Sequence, residues 1–130
     1  MENCIFCKII NNELPSYTVY EDELVKVFLD INPSTDGDLL LIPKKHIVTV
    51  DEIDDELMLH FLKIEKEIYN LLKDKLNCEG LTIVQNNGHG QEVKHLHIHL
   101  TPRYCGDLVD HLYNKDNLSE VQEVFEKLTN

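Results

Sequence analysis

Three histidines, His95, His97 and His99, stand at alternate positions within VKHLHIHLTPRY, residues 93 to 104. The residues between and after them, Leu96, Ile98 and Leu100, are apolar. Such alternation is the period of a β-strand, whose side chains point to opposite faces in turn. The imidazoles therefore share one face, about 6–7 Å apart, and the aliphatic side chains share the other. A face with three imidazoles is costly to desolvate unless each finds a partner. Hydrogen-bonded or solvated histidines on an open sheet are the bland reading, and three in register make it a poor one. Two chemical readings remain. One is a His-x-His metal chelate completed by a third ligand. The other is nucleophilic or acid–base catalysis by a group that titrates near neutrality. Spacing alone does not separate them.

A second chemical spacing is Cys4-Ile5-Phe6-Cys7. A C-x2-C pair lets two thiolates converge on one Zn²⁺ through a tight turn, and it needs two more ligands. Without a metal the same pair packs as two small hydrophobes. Cys78 and Cys105 show no partner by spacing, and His60 and His111 read as surface residues. His89 lies in the loop before the triad, within approach of a ligand.

Several elements must position these groups. YTVYED (17–22) has strand character, and LVKVFLD (24–30) alternates, with Leu24, Lys26, Phe28 and Asp30 on one face. INPSTDGD (31–38) is a turn by composition, and LLLIP (39–43) is a buried strand stopped by Pro43. From Asp54 to about Leu76 the period becomes helical, with Leu57, Phe61, Ile64, Ile68, Leu71 and Leu72 recurring. Asp51 or Asp54 caps its start and Asn77 ends it. LTIVQ (81–85) is a strand, NNGHGQE (86–92) a glycine-bearing loop, and HLHIHLT (95–101) a strand paired antiparallel with LTIVQ. LSEVQEVFEKL (118–128) is a terminal helix with Val121, Val124, Phe125 and Leu128 on its apolar face. Strands, a long helix, two strands and a short helix make an α+β fold.

At 130 residues the chain reads as one domain, 1–130. Its formal charge of −12 argues against coating a nucleic acid, while leaving room for a small anion held by local donors. No apolar run approaches a membrane span. MENCIFCKII lacks a signal peptide's features, so a cytoplasmic setting with reduced cysteines is expected.

NNGHGQEVKHLHIHLTPRY resembles the signature of the histidine triad (HIT) family, alternating histidines preceded by Gly-Gln. CIFCKIINNELPS, VFLDINPS and LLLIPKKHI resemble further segments of that family, in the right order from Cys4 to Tyr104. The resemblance implies an antiparallel sheet of about five strands with one long helix and a short C-terminal helix. It implies a hydrolase or transferase acting at the α-phosphate of a purine nucleoside phosphoramidate or dinucleotide. By position, His97 matches the nucleophile that forms a nucleotidyl-histidine, and His99 matches a residue that contacts the phosphoryl group. Asn86 and Gln91 match residues that orient the phosphate and leaving group; Asp30 matches the ribose-binding carboxylate, and Ile31 lies at the base pocket. Some members bind structural zinc at the positions of Cys4, Cys7, His46 and His95, and members usually form homodimers through the long helix and a sheet edge. Asp38 and Glu92 depart from the family pattern, each placing a potential anion near the phosphate. A nucleotide-binding module with little activity is the first competing reading, and a metal hydrolase using the triad as ligands is the second.

Overall fold

The computed structural model describes residues 3–108 and 115–130 of the chain, so His111 lies outside the described residues. The order is α1 (Ile5–Ile10), β1 (Thr18–Glu21), β2 (Val25–Leu29), β3 (Leu39–Pro43), α2 (Asp55–Leu76), β4 (Gly80–Gln85), β5 (Ile98–Arg103) and α3 (Val121–Thr129). The five strands form one sheet in the order β1-β2-β3-β5-β4, every neighbouring pair antiparallel. The expected α+β architecture is therefore present.

α2 covers one face of the sheet. Its buried residues Leu57, Phe61, Ile64, Ile68 and Leu72 recur at three- and four-residue spacing and so form one stripe. They pack with Val25, Val27, Leu39, Leu41, Leu96, Ile98 and Leu100 from the strands and the segment before β5. Each such side chain contributes about 1.5–3 kcal/mol by leaving water. Asp54 caps α2 by accepting the Leu57 N–H at 2.8 Å, and Asn77 ends it in the left-handed conformation.

The opposite face of the sheet is covered in part by α1, an element that sequence periodicity did not reveal. Phe28, Leu40 and Ile42 pack there with Cys4, Phe6 and Ile9. β3 is consequently buried on both faces, which is why LLLIP reads as an unbroken apolar run.

Two further boundaries, and the setting of His60, differ from the sequence reading. β5 starts at Ile98 rather than His95, because pairing ends there on both sides: Leu41 and Gln85 both pair with Ile98, and β4 ends at Gln85. α3 begins at Val121, and its apolar residues Val121, Val124, Phe125 and Leu128 are exposed. His60 is half-buried and bonds through Nε2 to Asp22 Oδ2 at 2.6 Å. Gly37, at φ +88°, lets the 31–38 turn pass beneath α2, where an added Cβ would lie 2.5 Å from Leu76 Cδ1. Among the described residues, no helix is long and apolar enough to cross a membrane.

Candidate functional site

The triad divides between two sites. His95 and His97 are buried in the extended segment before β5, and His99 is half-buried on the strand. All three sit on the sheet face away from α2, as alternation requires, with Leu96, Ile98 and Leu100 in the α2 core.

His97 is fixed by its own chain. Its Nδ1 lies 2.8 Å from the carbonyl oxygen of His95. A carbonyl only accepts, so Nδ1 carries the proton and Nε2 keeps its lone pair. Burial lowers its pKa below the ordinary histidine value, outweighing the opposing effects of the His95 carbonyl, Asp30 and Glu92. The neutral, nucleophilic form is thus favoured. The His99 ring stands 5.1 Å away, centroid to centroid, in an edge arrangement.

These two histidines line a cleft of about 570 Å³. Its apolar side is built by Ile5, Phe6 and Ile9 of α1 with Leu14, Phe28 and Leu40. Polar lining comes from Asp30 and Asn32 in one loop and from Asn86 and Glu92 in another, with Ile31 and Gly90 beside them. Asp30 Oδ1 accepts the Asn32 N–H at 2.9 Å, which shapes the turn after β2. The side chain of Ile31 is largely exposed at the cleft edge.

The structure does not bring every predicted site residue to this cleft. Gln91 is buried behind the loop: its Oε1 accepts the Gly88 N–H at 3.1 Å and its Nε2 donates to the Val48 carbonyl at 2.7 Å. Gly90, at φ +95°, gives that loop a backbone form other residues resist. His89 is exposed outside the cleft lining. Asp38 is not placed as an anion facing the phosphate. It is buried, accepting from Thr101 Oγ1 at 2.7 Å and from the Ser34 N–H at 2.9 Å, and it lies outside the cleft lining. A turn that must bury its polar groups holds this carboxylate as a hub. Phe6 and Phe28, which sequence reading passed over, flank the site: Phe6 meets His97 edge-on at 5.1 Å and Phe28 at 5.8 Å.

The first triad residue belongs to another centre. Ligand atoms of Cys4, Cys7, His46 and His95 all lie within 4.8 Å of one another. Cys4 Sγ is 3.4 Å and Cys7 Sγ 3.6 Å from His95 Nδ1, Cys7 Sγ is 3.2 Å from His46 Nδ1, and the two Nδ1 atoms are 3.1 Å apart. A tetrahedral zinc with ordinary Zn–S and Zn–N bonds sets its ligand atoms about 3.3–3.8 Å from one another. The chemistry fits as well. His95 Nε2 lies 2.8 Å from the Pro43 carbonyl, so Nε2 carries the proton and Nδ1 faces the cluster as a bare donor. Burial, with lesser effects from neighbouring His46 and His97, pushes the His95 pKa down to about 4 despite the Pro43 bond, which keeps the ring neutral. Burial and then Cys4 push the Cys7 thiol up to about 11, so a cation is what would make two adjacent thiolates stable here.

The HIT domain family profile matches residues 11–106. The chain belongs to the HIT family. Cys4 and Cys7 precede the matched segment. An uncharacterized HIT-like protein of Methanocaldococcus jannaschii is 53% identical over 106 residues, covering 80% of this chain and 81% of that protein. The adenosine 5'-monophosphoramidase of Saccharomyces cerevisiae is 39% identical over 102 residues, covering 77% of this HIT chain and 62% of the yeast protein. Among solved structures, a HIT family protein from Bacillus anthracis aligns with a TM-score of 0.84 at 36% identity, over 98% of this chain and 92% of that one. A zinc-bound histidine triad family protein from Mycobacterium smegmatis aligns with a TM-score of 0.79 at 32% identity, over 88% and 85% of the two chains.

Proposed function

We propose that this HIT protein is a nucleotide hydrolase or transferase acting at the α-phosphate of a purine nucleoside phosphoramidate or dinucleotide, with His97 as nucleophile. The observation that carries this reading is the His97 Nδ1–H bond to the His95 carbonyl, which turns a lone pair toward a cleft of nucleotide size. Likeness to a yeast adenosine 5'-monophosphoramidase supports the reaction class.

In the proposed reaction the base rests against the apolar wall of Phe6, Ile9 and Ile31, and Asp30 meets the ribose hydroxyls. Nε2 of His97 forms a bond to phosphorus as the bond to the leaving group breaks. For a phosphoramidate, the amine departs with the bonding pair and takes a proton from water at the open mouth. Water then attacks the nucleotidyl-histidine, loses its proton to solvent, and returns His97 to neutral imidazole. His99 lies beside the phosphoryl oxygens to stabilise charge that develops there. Asn86 on the rim orients the phosphate, and Gln91 acts through the loop it pins rather than by touching substrate.

Cys4, Cys7, His46 and His95 would hold zinc. Four protein donors close such a site, so the ion's part is structural, and its thiolates call for a reducing, cytoplasm-like setting. A metal hydrolase built on the triad is disfavoured, because His97 and His99 stand apart from this donor set. Exposed Leu59 and Leu62 on α2 and Ile83 on the edge strand β4 support a homodimer formed there.

Turnover tests the reading. Adenosine 5'-phosphoramidate should be converted to AMP, and a chain that binds AMP without any turnover would instead be a nucleotide-binding module. Glu92 at the cleft mouth is the feature that favours this second reading.

A further inference from the structure

The metal donor set and the cleft share a wall. α1 is six residues long, too short to hold its shape in water unaided, yet it supplies Ile5, Phe6 and Ile9 to the cleft. Polar ties fix both its ends. At the start, Cys4 Sγ accepts the Cys7 N–H at 3.3 Å, and both cysteines belong to the four-donor cluster. At the finish, the buried Lys26 ammonium donates to the Ile9 carbonyl at 3.1 Å, with Glu21 Oε1 3.8 Å away. Between them Phe6 stands against Phe28 and His97.

The two ties differ in what they depend on. The Lys26 bond needs only the protein. Without an ion, the cysteine tie rests on sulfur–imidazole contacts of 3.2–3.6 Å, and thiols are weak hydrogen-bond donors. An ion replaces these contacts with four coordinate bonds. The order of α1's first turn therefore depends on whether the site is filled.

Resting on the reading of the cleft as a nucleotide site, we propose that metal occupancy at Cys4, Cys7, His46 and His95 sets how tightly the cleft grips the base of a nucleotide, through α1. The consequence is one of selectivity. α1 contributes apolar side chains to the cleft, whereas the phosphate end is built from His97, His99 and Asn86 on other segments. Losing the ion weakens a ligand with a base and spares one with the same sugar and phosphate but no base.

Calorimetric titration with AMP and with ribose 5-phosphate, on the zinc-loaded chain and after chelation, tests this. The AMP dissociation constant should rise about tenfold or more on chelation while that for ribose 5-phosphate changes less than about threefold. Amide exchange should quicken over residues 4–12 while α2 stays protected. Should the chelated chain unfold, seen as lost protection of α2, Lys26→Met decides. It keeps all four donors and releases only the far end of α1, so it should retain zinc and still lose AMP affinity selectively. Equal weakening of both ligands, or AMP affinity unchanged by chelation and by Lys26→Met, overturns the proposal. A zinc-loaded chain that binds AMP no better than ribose 5-phosphate overturns the nucleotide reading itself, and this proposal with it.

Discussion

His97 donates its Nδ1–H to the main-chain carbonyl of His95 across 2.8 Å, while the ring of His95 faces Cys4, Cys7 and His46. One residue thus presents its side chain to the Cys4–Cys7–His46 cluster and its carbonyl to His97, the proposed nucleophile. A strand-like segment permits this, because carbonyl and side chain leave the backbone in different directions.

Glu92 is exposed and lines the cleft on which His97 opens. Its carboxylate opposes the approach of an anion, and solvent screening keeps the effect modest. Glu92→Ser should raise kcat/KM about two- to fivefold, more for dinucleotide polyphosphates than for a singly charged phosphoramidate. The gain should shrink as salt is added. Steady-state kinetics on both substrates at two ionic strengths checks this, and a mutant no better than wild type would give Glu92 a positive role.

Asp38 has a different part. Its two bonds, to Thr101 Oγ1 and the Ser34 N–H, are internal. Asp38→Ala leaves both donors unpaired and should lower stability by about 2–4 kcal/mol. Chemical denaturation measures that loss. The ratio of activities on the two substrate classes should not move, and a shifted ratio would put Asp38 in the site.

Asp22 links β2 to α2. Burial opposes its ionisation, but bonds from the Tyr20 hydroxyl, the Leu24 and Val25 amides and His60 outweigh it, holding its pKa down at about 2. A carboxylate with a depressed folded pKa stabilises the protein above its unfolded value near 3.8, and this stability is lost as pH falls toward about 2. Asp22→Asn should therefore destabilise by about 2 kcal/mol at pH 7. The difference from wild type should close between about pH 4 and pH 2. Melts of both proteins across that range check the sign, and a gap independent of pH contradicts it.

Purified under reducing conditions, the protein should carry about one zinc per chain. Cys7→Ser should lower the melting temperature by about 5–10 °C, and added zinc should recover little of it. Elemental analysis with a zinc-reconstitution melt checks both. Absence of zinc after reconstitution would leave Cys4 and Cys7 as packing residues.

The sequence was legible where one physical pattern dominates. α2 shows because its buried stripe, Leu57 to Leu72, repeats over about four turns, with a capping aspartate and a terminal asparagine. The face shared by His95, His97 and His99 shows because strand alternation persists even where ladder bonds do not, so the onset of β5 was misplaced while the facing was right. α1 was illegible: IFCKII has no period, and its order comes from Cys4, Lys26 and Phe28. Cys4 and Cys7 show by their spacing, but His46 and His95 join them only through a family resemblance, because no local pattern links Cys4 to His95 at a separation of 91. The part played by Asp38 was hidden because residue type does not tell whether a carboxylate in a turn points inward.

The proposed reaction turns on attack by His97 on phosphorus. Rapid quenching of the chain during turnover of adenosine 5'-phosphoramidate, followed by intact and peptide mass analysis, tests it most directly. An adenylyl group should appear on the peptide holding residues 93 to 104, localised to His97. It should be absent from His97→Ala, whose turnover should fall by about three orders of magnitude or more. Near wild-type turnover in His97→Ala, or the adenylyl group on any other residue, would contradict the account.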